Sequence, residues 1–203
     1  MKLYLFILLT FITFEAKAQD PIFNQFFLVP ETLNPAFTGT LAAGYAGIIH
    51  RTQWPSDNAQ MNTEFGFVNG PVGGEDGKVG LGLTLLNQHE VFTNYNYYLI
   101  NTAYAYSVDL NWEWKLRLGL EAGYGRKNYD LSSILFEDNI DGNTGSIGNG
   151  TVDPSALNYD KNINFFDMSA GLLIYNDQAW FGASLKHLTT PNISFNQQGN
   201  VPL

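Results

Sequence analysis

Residues 114–125, WKLRLGLEAGYG, carry the pattern that decides the fold. Large apolar residues occupy every second position, and the three charged residues Lys115, Arg117 and Glu121 fall between them. Because successive side chains of a β-strand point to opposite faces, this pattern predicts a strand with one apolar and one polar face. The apolar row has an aromatic residue at each end, which is typical of a lipid-facing strand with a ring at each membrane interface.

Six further segments alternate in the same way. The clearest is 98–109, and weaker examples lie at 44–52, 61–68, 78–87, 165–175 and 179–187. Strands of about 9–11 residues suit a tilted membrane barrel, whereas globular strands are commonly about 5–6 residues long. We therefore predict an all-β fold, an antiparallel outer-membrane β-barrel. A soluble β-sandwich also alternates and is the main alternative.

The connections between these segments are of two kinds. Residues 70–77 are rich in Gly and Pro, which predicts a turn. Residues 131–161 are long, polar and acidic, which predicts an external loop. Seven strands are an odd number for a bacterial barrel, and the last residues lack a terminal aromatic. We therefore expect this chain to be the N-terminal part of a longer barrel.

Composition excludes several classes of protein. Charged residues make up only 14% of the 203 positions, and the net charge is −9. A chain this acidic is a poor candidate for nucleic-acid binding, which needs clustered Lys and Arg. Because the chain has no Cys, disulfide scaffolds, thiol catalysis and Cys-based zinc sites are excluded.

The N-terminus predicts export. Residues 1–18 combine a basic start, an apolar stretch at 3–14 and an Ala16-Lys17-Ala18 cleavage pattern. The stretch is too short to span a bilayer core of about 30 Å as a helix. We predict a signal peptide at 1–18 and barrel at 19–203.

Residues with catalytic or ligand chemistry are sparse. The three histidines, His50, His89 and His187, show no spacing that suggests a metal pair, and a hydrolase built on one of them is a minor alternative. An acidic stretch at 137–148 departs from the calcium-loop pattern at its first and twelfth positions. Gly80 and Gly82 lie within a strand, where a narrow barrel would need small residues. We predict no catalytic, cofactor-binding or metal-binding residues.

The inward charges of residues 114–125 leave two possibilities open. Lys115, Arg117 and Glu121 could tune the electrostatics of a pore. They could equally form an internal network that plugs and stiffens the barrel. The sequence does not decide between them.

Several motifs resemble the PorP/SprF family of type IX secretion system membrane proteins from Bacteroidota. The family opens with D-P-x-F-S-Q-Y, then L-N-P-A-Y-x-G and R-x-Q-W. This chain has DPIFNQF at 20–26, LNPAFTG at 33–39 and RTQW at 51–54. Weaker similarity follows at 101–107, 118–125 and 180–191.

The resemblance implies a non-enzymatic outer-membrane barrel without cofactors that serves type IX secretion. It also implies surface delivery of adhesins, which supports gliding motility in relatives. The implied partners are outer-membrane lipid, the translocon, the periplasmic lipoprotein ring and the C-terminal domain of a secreted adhesin. A passive porin for small solutes is the alternative.

Overall fold

The computed structural model describes residues 26–56, 60–73, 77–130, 136–140, 142, 144–148, 159–196 and 199–203. The signal peptide predicted at 1–18 lies outside this part of the chain. Seven antiparallel strands join in sequence order to form one curled half-barrel, which confirms the predicted all-β fold. The strands are β1 (Tyr45–Gln53), β2 (Met61–Val72), β3 (Val79–Glu90), β4 (Tyr95–Asp109), β5 (Lys115–Asn128), β6 (Asn162–Tyr175) and β7 (Trp180–Leu185). No helix among the described residues is long and apolar enough to cross a membrane.

Two strand boundaries differ from those predicted. Strand β2 continues through Pro71, which pairs with Gly80, so the turn predicted at 70–77 begins only at Gly73. Pairing with β1 stops at Asn69, and a proline is tolerated on an edge without a neighbour. Strand β7 ends at Leu185, before the predicted limit at 187, and His187 has a positive φ of 56°.

The convex face of the sheet is apolar over the middle of its height. Outward side chains such as Ile100, Leu118 and Leu120 are about half exposed. From Trp114, just before β5, to Tyr124 an extended chain advances about 33 Å, or about 25 Å in height at a tilt of about 40°. This height matches the apolar band of membrane barrels, and the face is therefore suited to contact lipid.

The connections at the two ends of the strands differ. Three short links, at 73–78, 110–114 and 176–179, lie at one end of the strands, which we call the turn end. The links at 54–60, 91–94 and 129–161 lie at the opposite end of the strands, which we call the loop end. In the last of these links, Glu137–Asn139 forms a 3₁₀ turn, and Ile140 pairs with Ile147. The long acidic link therefore lies at the opposite end of the strands from the Gly- and Pro-rich turn.

The concave face holds the core. Its buried apolar residues lie toward the loop end and comprise Val29, Phe65, Leu86, Tyr97, Ile163 and Phe165. The chain after β7 folds back toward them, so that Ile193, Phe195 and Leu203 pack against the cluster. Residues N-terminal to β1 cover the rest of this face.

Candidate functional site

The segment before β1 lies on the concave face of the sheet. We call residues 29–40 the strap; they contain the LNPAFTG motif and two 3₁₀ turns, Pro30–Thr32 and Pro35–Phe37. Asn34 caps the second turn, because its side-chain oxygen accepts a hydrogen bond from the Ala36 amide at 2.9 Å. Pro35 follows the cap, where its missing N–H costs nothing. Local sequence thus explains the shape of the strap.

Side chains at the strap's centre bind the backbone of β6 and β7. The Asn34 amide donates hydrogen bonds to the Leu172 carbonyl at 3.0 Å and the Ala183 carbonyl at 3.2 Å. In return, the Ser184 hydroxyl donates to the Leu33 carbonyl at 2.8 Å. Residues about 140–150 positions apart are therefore joined at the side of the strap nearest β7.

A buried arginine holds the next part of the strap. Arg117 of β5 is 1% exposed, and its Nε and Nη2 atoms donate to the Thr38 carbonyl at 3.0 and 2.6 Å. A charged donor makes a stronger hydrogen bond than a neutral one. Because the guanidinium is removed from water, the loss of this acceptor would leave an expensive buried charge.

A third group of contacts links the strap to β1 and β2. The Gly39 amide donates to Asn69 Oδ1 at 2.7 Å, and Asn69 donates to the Tyr45 hydroxyl at 3.2 Å. Tyr45 donates in turn to the buried carboxylate of Glu31 at 2.9 Å. These bonds form a chain from one end of the strap to the other.

Glycines in three strands let the strap approach the sheet closely. A methyl group at Gly80 would overlap the Thr38 carbonyl, and one at Gly119 would overlap the backbone of Pro35 and Ala36. A methyl group at Gly171 would overlap the side chain of Asn34. Small residues are present on the inner face as predicted, and three of them, Gly80, Gly119 and Gly171, make room for the strap.

Two of the three inward charges predicted on β5 take part in this internal network. Arg117 binds the strap, whereas Glu121 pairs with Lys186 at 2.8 Å, just after β7. Lys115 begins its strand and is exposed. Of the two interpretations left open by the sequence, these contacts favour an internal network over a pore lining.

The three histidines lie in separate places. His50 is on the convex face beside Thr52, and His89 is hydrogen-bonded to Asn96 near the loop end. His187 contacts Asp167 at 2.6 Å on the concave side. Among the described residues there is no group of three His, Cys, Asp or Glu side chains that could hold a metal ion.

Aromatic rings gather at the loop end. Tyr129 packs against Phe195 at 5.5 Å and against Tyr159 at 6.4 Å between ring centroids. Burial raises the pKa of Tyr129, and Glu90 and Tyr159 raise it further. This cluster ties the long link to the chain that follows β7.

The strap and the strands it touches coincide with the motifs that resemble a known family. The family model described as type IX secretion system membrane protein PorP/SprF matches residues 15–203. The chain belongs to the PorP/SprF family. No match was found among curated proteins or among solved structures. The PorP/SprF motif at 33–39 is thus the centre of the strap, and the segment at 118–125 contributes part of its seat.

Sequence reasoning recognised the motif at 33–39 but not its location. It also missed Asn69, Ser184 and Lys186, whose partners lie 30, 151 and 65 positions away. Gly119 was the available signal, because a glycine inside a strand can mark a place where another backbone approaches closely, and the Pro35 and Ala36 backbone does so here.

Proposed function

We propose that this PorP/SprF protein is a non-enzymatic outer-membrane component of the type IX secretion system. Residues 1–18 would direct export, and the barrel starting at 19 would insert through its convex face. Family membership and the apolar band of about 25 Å support this assignment. The outer membrane is the compartment in which β-barrels span the bilayer in bacteria.

The role we assign is docking of an adhesin-type cargo for secretion or surface attachment. The loop end would face outward and hold the C-terminal domain of the cargo, because outer loops of barrels are the longer ones. The turn end would face the periplasm, and its turns would contact the translocon and the lipoprotein ring. In gliding relatives the same role would serve motility.

The observation that carries this proposal is the strap on the concave face. A passive porin needs an aqueous lumen, yet the strap lies on the inner surface of the half-barrel and is bonded to β1, β2, β5, β6 and β7. An inner wall covered by the strap suits a protein that presents surfaces to partners. A passive porin would require the strap to leave the concave face.

Deletion of the gene tests the proposal. We expect loss of secretion and surface display of a type IX cargo, with recovery when the wild-type gene is supplied. A His50→Ala variant should restore display equally well, since His50 is exposed on the convex face and no catalytic step is assigned to it. Unchanged display in the deletion strain would contradict the docking role.

A further inference from the structure

A cavity of about 260 Å³ lies on the concave face between the strap and the chain after β7. Thr32 and Leu33 of the strap form one side, and Lys186 and His187 form another. Inward side chains of β2 to β6 complete the wall. The volume lies near the lower end of small-molecule sites, about 300–1,000 Å³, and therefore suits a single ring better than a peptide or an acyl chain.

The charged groups of the cavity already have partners. Glu121 pairs with Lys186 at 2.8 Å, and one oxygen of Asp167 pairs with His187 at 2.6 Å. The other oxygen of Asp167 accepts a hydrogen bond from Thr189 at 2.8 Å. A charged ligand would have to displace one of these side chains, so the site favours a neutral one.

Three polar side chains on the same wall lack hydrogen bonds. Thr84 is 8% exposed and Ser169 is 3% exposed, and neither they nor Asn101 make a side-chain hydrogen bond within the described part of the chain. Thr84 and Asn101 are direct neighbours across β3 and β4. All three line the cavity, and hydroxyls and amides can both donate and accept. They therefore offer uncommitted hydrogen bonds to a ligand.

The part of the cavity wall nearer the loop end is aromatic, because Tyr97 and Phe165 precede Asn101 and Ser169 by four residues on the same face of β4 and β6. Phe65, Tyr97 and Phe165 are each at most 5% exposed and line the cavity, and the rings of Tyr97 and Phe165 are stacked at 6.3 Å. A ligand that fits this space has hydroxyl groups toward the polar part of the wall and C–H groups toward its aromatic part. We propose that the cavity binds one neutral sugar ring, with its hydroxyls toward Thr84, Asn101 and Ser169 and a C–H face on the aromatic wall.

Calorimetric titration of the detergent-solubilised full-length protein tests this proposal. The probes are D-glucose, D-galactose, D-mannose, L-rhamnose and N-acetyl-D-glucosamine, with cyclohexanol as a ring that has a single hydroxyl. We expect saturable millimolar binding of at least one sugar, and at least tenfold weaker binding of cyclohexanol. No saturable binding of any of the five sugars to the wild type would overturn the proposal.

Matched variants locate the site. The nearly isosteric pair Thr84→Val and Ser169→Ala should weaken sugar binding at least tenfold. Thr102→Val should leave it unchanged, because Thr102 follows Asn101 on β4 and faces the opposite side of the sheet. A folded double variant that binds like the wild type would also overturn the proposal. If the double variant does not fold, Asn101→Ala serves in its place with the same two expected outcomes. Sugar binding is measured without secretion, so it can fail or succeed independently of the docking role.

Discussion

The guanidinium of Arg117 and the backbone carbonyl of Thr38 are joined by two hydrogen bonds across 79 positions of sequence. Arg117 stands on the concave face of β5, and Thr38 lies in the strap. A cation that is only 1% exposed thus uses its charge to fix a neutral backbone group. The contact connects the PorP/SprF motif at 33–39 to strand β5, whose alternating sequence predicted the fold.

Replacing Arg117 with Met should destabilise the protein. The variant loses a charge-assisted interaction and leaves the Thr38 carbonyl without this donor, which should cost about 1.5–3 kcal/mol. Arg126→Met is the matched control on the same strand, because Arg126 is exposed and its side chain donates a hydrogen bond to the exposed residue Asn162 at 2.9 Å. Urea unfolding, followed by the heat-dependent shift in gel mobility, measures both. Equal loss in the two variants would contradict the anchoring role.

The seat of the strap should not tolerate a methyl group. In Gly119→Ala the new methyl would overlap the strap backbone, so we expect a loss of about 1–3 kcal/mol in unfolding free energy. Gly66→Ala is the control, since a methyl there meets nothing within 4 Å, and its effect should stay within about 0.5 kcal/mol. The same unfolding experiment applies. A neutral Gly119→Ala would show that the strap does not lie against β5.

The faces of the strands could be predicted from sequence, whereas the strap could not. Alternation is local, so residues 114–125 reveal which side chains point outward without any knowledge of their neighbours. The partners of Asn34 lie 138 and 149 positions away, and no local pattern encodes such a distance. For the same reason small residues were expected on the inner face, but the contact of Gly80 and Gly119 with the strap was not. Pro71 was assigned to a turn because its position without a neighbouring strand becomes visible only once β1 is seen to begin at Tyr45, opposite Asn69.

The Glu121–Lys186 pair should show direct energetic coupling. Glu121 is nearly buried, and removing its partner with Lys186→Met leaves a carboxylate that water solvates poorly. Because Lys186 remains partly exposed, we expect a loss of about 1–3 kcal/mol rather than the full cost of a buried pair. Adding Glu121→Gln should recover part of that loss. A double-mutant cycle measures the coupling, and additive effects would show that the pair is not a unit.

The free-energy cost of a charged side chain on the convex face should increase toward the middle of the membrane. Leu120 lies in the middle of the apolar band, so Leu120→Arg should cost about 2–4 kcal/mol in a bilayer. Val72 is also exposed but lies at the turn end, where the cost of Val72→Arg should be about 0–1 kcal/mol. Unfolding from lipid vesicles compares the two. Similar costs at both positions would argue against lipid contact on this face.

Conductance of the full-length protein in a planar lipid bilayer most directly tests the central claim, that the strap closes the interior to solutes. We expect the wild type to show no steady open channel, and a variant lacking residues 30–40 to conduct. A steady open channel in the wild type would contradict the account, because it would mean that solutes pass while the strap is present.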